Sequence, residues 1–183
     1  MNRITLNACA GILACWLTGA VCAQENADPP FGGPEDVAFA ESLWESLGMF
    51  QLVGPNAVNV WPFEGSHPHG AIQQVTDSRI TVEGRAGRVI VKRNHGGDGA
   101  SVASVYENPQ ENLEAVTVMF KREAGYDPEN LDWFWVKYTA SGAIDTNPQG
   151  AMLAGRIGKG GSGGCIACHT ARGGADLETL TAR

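Results

Sequence analysis

Ala115-Val116-Thr117-Val118-Met119-Phe120 is the stretch that decides the fold class, together with Trp133-Phe134-Trp135-Val136-Lys137-Tyr138 downstream. Both runs are β-branched and aromatic, and both are short. Asp127-Pro128-Glu129-Asn130 lies between them and supplies turn chemistry. Working outward, Arg88-Val89-Ile90-Val91-Lys92 after Gly87 is a third run of the same kind. Ser101 to Tyr106 is a further strand candidate, and Ala71 to Thr76 predicts a strand ending in a loop at Asp77-Ser78. Few connections are long enough for parallel crossovers, so the spacing predicts an antiparallel meander. The three main strands end at or run into basic residues: Lys92-Arg93, Lys121-Arg122 and Lys137.

One amphipathic helix precedes the strands. Pro34-Glu35-Asp36 starts it, with proline and acids where a helix N-terminus favours them. Val37, Ala40, Leu43, Trp44 and Leu47 recur at helical spacing up to Gly48. Residues 24–33, with Pro29-Pro30 and Gly32-Gly33, read as a flexible lead-in. In the rigid loop around His67-Pro68-His69-Gly70 both histidines are able to ligate a metal, but no third ligand is near. Ordinary surface or inter-subunit hydrogen bonds are expected of them. Ala151 to Gly155 is expected to begin a short helix, and Gly158 to Gly164 is almost without side chains. The fold class is therefore α+β, a mainly antiparallel β-sheet with flanking helices.

Residues 1–23 have the form of a secretory signal peptide: a charged start, an apolar run and Val21-Cys22-Ala23 at the cleavage site. Removing them leaves about 160 of the 183 residues, a length that suits one domain, 34–183 after the lead-in. Three of the five cysteines go with that segment, so Cys165 and Cys168 alone remain. The net charge of -7 argues against nucleic acid as a partner. No further apolar run approaches the length of a membrane span. Localisation in the periplasm follows from the signal peptide.

Cys165-Ile166-Ala167-Cys168-His169 is a C-x-x-C-H, the pattern of covalent c-type haem attachment. The two thiols bond one edge of the porphyrin, and His169 becomes an iron ligand. A structural zinc site needs four ligands, and no second cysteine pair follows. A dithiol redox pair is expected after a strand in a βαβ unit, not after a glycine-rich run. The motif lies close to the C-terminus, with no methionine after it to take the other face of the iron. An open or weakly filled distal iron site is therefore expected. A four-helix haem bundle is disfavoured, because one long helix is present where such a bundle needs four.

Taken in order, Gly87 to Lys92, Ala115 to Lys121, Gly125-Tyr126-Asp127-Pro128-Glu129, Asp132 to Tyr138 and the terminal C-x-x-C-H resemble the cytochrome P-460 family, related to the beta-sheet cytochromes c′. The likeness runs from Pro34 to the end of the chain and rests on the order of these motifs. It implies an antiparallel β fold, usually a homodimer, with one pentacoordinate haem c. It also implies a lysine joined to the porphyrin, which corresponds to Lys92. Where hydroxylamine-oxidising members can carry a distal carboxylate as proton acceptor, this chain has Thr117, with Glu114 nearby at the strand entry.

Three functions stand as expectations. The first is a hydroxylamine-oxidising haem oxidoreductase: Cys165, Cys168 and His169 hold the cofactor, Lys92 modifies it, Thr117 sits on the distal side, and electrons leave to another cytochrome or acceptor. The second is a nitric oxide binding or scavenging cytochrome without turnover, its distal face built from residues such as Phe120 or Met119. The third is an electron-transfer cytochrome.

Overall fold

The computed structural model describes residues 30–172; the signal-peptide segment, most of the lead-in and the last residues of the chain lie outside it. Its elements in chain order are α1 (Pro34–Met49), β1 (Phe63–Glu64), β2 (Ile72–Val82), β3 (Arg85–His95), α2 (Val102–Glu107), β4 (Leu113–Lys121), β5 (Trp133–Thr139), β6 (Ala154–Gly155) and α3 (Cys165–Arg172), with a 3-10 turn at Pro128–Asn130. The six strands form one antiparallel sheet in sequence order. The α+β class and the meander are thus both present.

The central strands are buried on both faces, which is why they read as continuous apolar runs and not as alternation. Val89, Val91, Val116, Val118, Phe120, Phe134, Val136 and Tyr138 turn one way and pack under α1, against Phe39, Ala40, Leu43 and Leu47. Tyr138 closes that layer by donating its hydroxyl to the Ala40 carbonyl at 2.6 Å. Trp44 stacks at the rim, its ring 4.7 Å from that of Tyr138. Ile90, Met119, Trp133 and Trp135 turn the other way and pack beneath Ile157 and Ile166 of the C-terminal segment. The sheet therefore separates two apolar layers, α1 on one side and α3 on the other.

Four local expectations are corrected. β2 does not stop at Asp77-Ser78: it runs on to Val82 and turns at Glu83-Gly84, both at positive φ. Asp77 is tolerated within the strand because Arg88 of β3 pairs with it, while Ile80 and Val82 are buried. Ser101 to Tyr106 is helical, since Ser101 caps α2 and exchanges hydrogen bonds with Ser104. Ala154–Gly155 is a strand, paired to Val136 and Trp135 of β5. Residues 31–33 of the lead-in are tied down: Phe31 bridges Gly155 and Gly32 donates to the Ala154 carbonyl at 2.7 Å. Pairing with distant strands decides these cases over local propensity.

Candidate functional site

Register places the site. Lys92 of β3 lies between Val75 of β2 and Thr117 of β4, and Thr117 in turn pairs with Lys137 of β5. The next row along the strands is Ile90, Met119 and Trp135. Strand side chains alternate, so both rows rise on the face away from α1. α3 lies over them, bringing Cys165 and Ile166 onto the Met119–Trp135 layer. The His169 ring stands edge-on to Trp135, centroids 4.7 Å apart.

On that helix Cys165, Cys168 and His169 fall at i, i+3 and i+4, hence on one face. Both thiols are free of disulfides. Burial pushes the Cys165 thiol up to about 11. A narrow gap lies between helix and sheet, with a free volume of about 20 Å³ on its apolar side, and is bordered there by Lys92, Thr117, Met119, Trp135, Cys165 and His169. The sequence-predicted site residues are thus brought together.

Lys92 is 4% exposed. Burial lowers its ammonium from 10.5 to about 8, Arg172 adds to the shift and Cys168 opposes it. Lys137, by contrast, directs its ammonium to Asp145 at 2.8 Å. Thr117 sits in a polar chain: Gln73 Nε2 donates to Asn94 Oδ1 at 3.3 Å, and Asn94 Nδ2 donates to Thr117 Oγ1 at 3.2 Å. The same Oγ1 meets Nδ1 of His69 at 3.3 Å. The hydroxyl is therefore engaged in holding an imidazole.

His69, weighed from the sequence as a metal ligand and expected instead to make ordinary surface or inter-subunit hydrogen bonds, lies within the site. It is half-buried, and burial, with Lys92 and then His169 beside it, lowers its imidazole to about 4. The ring centroids of His69 and His169 are 6.1 Å apart. The signal available was His67-Pro68-His69 itself, but a loop histidine points nowhere until β2 and α3 are placed. One other expectation is corrected, and the direction of Glu114 is set. Phe120 faces the α1 layer and not the site, because it has the opposite parity to Met119. Glu114 is exposed, of opposite parity to Thr117, and lies over Gly96. The glycines from Gly158 to Gly164 close the loop on itself: Gly158 and Gly164 are both at positive φ, and a Cβ on Gly158 would collide with the Gly163 carbonyl.

The donors present suit a covalently held haem. Two thiols one helical turn apart and an adjacent imidazole face a gap with apolar and aromatic walls. The indole N–H of Trp135, which borders that gap, is buried without an acceptor. Among the described residues no group of three or more His, Cys, Asp and Glu is placed to hold a bare metal ion, and no helix is long and apolar enough to cross a membrane. Comparison of the chain with family models, with curated proteins and with solved structures finds no match.

Proposed function

We propose that this protein is a periplasmic c-type haem oxidoreductase that oxidises hydroxylamine toward nitrogen oxides, passing the electrons to another cytochrome or acceptor. The observation that carries the reading is the register that sets buried Lys92 beside Thr117 directly beneath the helix bearing Cys165, Cys168 and His169. The bound haem supplies a redox-active iron able to take a small nitrogenous ligand. The chain's residues then have separable tasks. Cys165 and Cys168 would hold the haem through thioethers, and His169, packed edge-on to the Trp135 ring, would ligate its iron. Lys92, desolvated and easier to deprotonate than an ordinary lysine, is the amine that would bond the ring edge; that bond would replace an N–H and a ring C–H, so its formation would need a two-electron oxidant of the peroxide class. Thr117 positions His69.

Nitric oxide binding without turnover is the second reading. Among the described residues no carboxylate borders the apolar side of the gap, and a carboxylate is a proton acceptor that general-base catalysis commonly uses. Mass analysis of the haem-loaded protein, combined with its absorption spectrum and a hydroxylamine-dependent acceptor assay, separates the two. The oxidoreductase reading expects the peptide spanning Lys92 to stay with the haem and the acceptor to be reduced. Release of that peptide free of haem, with an ordinary haem c spectrum and no acceptor reduction, leaves the binding protein.

A further inference from the structure

The gap under α3 has a second half. Beyond the apolar side it continues past Ser66, Gln73, Cys168 and Arg172, and His69, Lys92 and His169 border both halves. The two imidazoles therefore face each other across the middle of one continuous slot, with one cysteine bordering each half. Their centroids are 6.1 Å apart and their planes perpendicular, at 88°. Two imidazoles on opposite sides of one metal stand at about the same separation: roughly 2 Å from metal to nitrogen and about 1 Å more to each ring centre.

We propose that His69 is a displaceable sixth ligand of the haem iron, opposite His169, held in place by Thr117 and released when an exogenous ligand binds. This rests on the haem reading above and changes one part of it: the distal face is closed at rest and opens by loss of His69. The chain built behind His69 is that of a metal-bound histidine. Its Nδ1 is engaged by Thr117 Oγ1, which Asn94 and Gln73 hold in turn. In the Nδ1–H tautomer Nε2 carries the lone pair, and such outer partners set the tautomer and ring orientation of metal-ligating histidines. The two ligands differ in their mounting. His169 is on a helix packed against Trp135, whereas His69 is on the loop between β1 and β2, its ring held by Thr117 and its backbone by Ser66 and Gln73. The exchange breaks one iron–nitrogen bond and makes one bond to the incoming ligand, with no change in oxidation state.

The test uses the full haem-loaded protein, wild type and His69→Gly, with covalent haem confirmed by mass in each. Ferric absorption and electron paramagnetic resonance spectra are recorded, and the rate of cyanide binding is followed against cyanide concentration. Wild type is expected to be low-spin with a rate that reaches a plateau set by His69 release. His69→Gly is expected to be high-spin, to bind cyanide at a rate linear in concentration, and to return to low-spin when imidazole is added. Thr117→Val is expected to raise the wild-type plateau without abolishing the low-spin spectrum. A high-spin wild type indistinguishable from His69→Gly overturns the proposal while leaving the haem reading intact. So does a low-spin wild type whose cyanide rate never levels off. Absence of covalent haem in wild type overturns the haem reading instead. If His69→Gly does not fold, the wild-type spectrum and plateau decide the matter alone.

Discussion

Replacing Lys92 by methionine in the haem-free chain tests the electrostatics of the site directly. Methionine is close in length and apolar, so it fills the space without the charge. Lys92 is buried and its ammonium is lowered from 10.5 to about 8. The folded pKa is below the unfolded one, so the unfolded chain binds more protons between pH 8 and 10.5, and stability rises with pH across that window. Below pH 8 the whole penalty of the buried charge is present, about 3 kcal/mol at about 1.4 kcal/mol per pH unit. Lys92→Met is therefore expected to be more stable than wild type by about 3 kcal/mol at pH 7, by roughly 2 near pH 9 and by under about 0.5 near pH 10.5. Urea unfolding followed by tryptophan fluorescence at the three pH values measures it. The difference between the two chains is the quantity to read, because Cys165 acts with the opposite sign: its thiol is raised from 9.0 to about 11, so its contribution falls as pH rises through that range. Cys165 is common to both chains and its contribution cancels. A difference that stays flat with pH, or a wild type more stable than the variant at pH 7, would refute the reasoning. The same shift leaves about 300-fold more neutral amine on Lys92 at pH 7 than on an ordinary lysine, and the proposed carbon–nitrogen bond to a haem edge would draw on that neutral fraction.

Two further outcomes test the packing that positions the site. Tyr138→Phe removes the 2.6 Å hydrogen bond to Ala40 but leaves that carbonyl its helical donor, so a loss of about 1 kcal/mol is expected in urea titrations. An unchanged midpoint would show that the hydroxyl does not tie α1 to the sheet. Gly87→Ala places a Cβ 2.5 Å from the Phe120 ring and from the Lys121 carbonyl, beside the β3–β4 pairing that carries Lys92 and Thr117. It is expected to cost about 1–3 kcal/mol by the same measurement, and a neutral result would mean that the two strands separate there without penalty.

The residues themselves show where sequence reading succeeds. Ala115 to Phe120 and Trp133 to Tyr138 were legible because strands buried on both faces leave no competing helical period. α1 was legible because proline, acids and an apolar stripe agree. Asp77-Ser78 misled because the mid-strand aspartate pairs diagonally with Arg88, and that partner belongs to another strand. Ser101 to Tyr106 misled because its capping serine pair leaves little mark among β-branched neighbours.

Within the site the division is sharper. C-x-x-C-H is a local device, its two thiols and imidazole gathered by one turn of helix, so Cys165, Cys168 and His169 could be named from spacing alone. Which strand residues stand beneath that helix depends on parity and register. One residue of slip would turn Thr117 and Lys92 away and bring Phe120 in. Only the tertiary structure sets Lys92 against Thr117, sends Glu114 outward and brings His69, from a loop with no periodicity to aim it, to face His169 across the slot. The chain by itself determined the sheet, the first helix and the C-x-x-C-H motif, because each is written in neighbouring residues. The opposing faces of the slot come from segments far apart in sequence, and folding alone makes them neighbours.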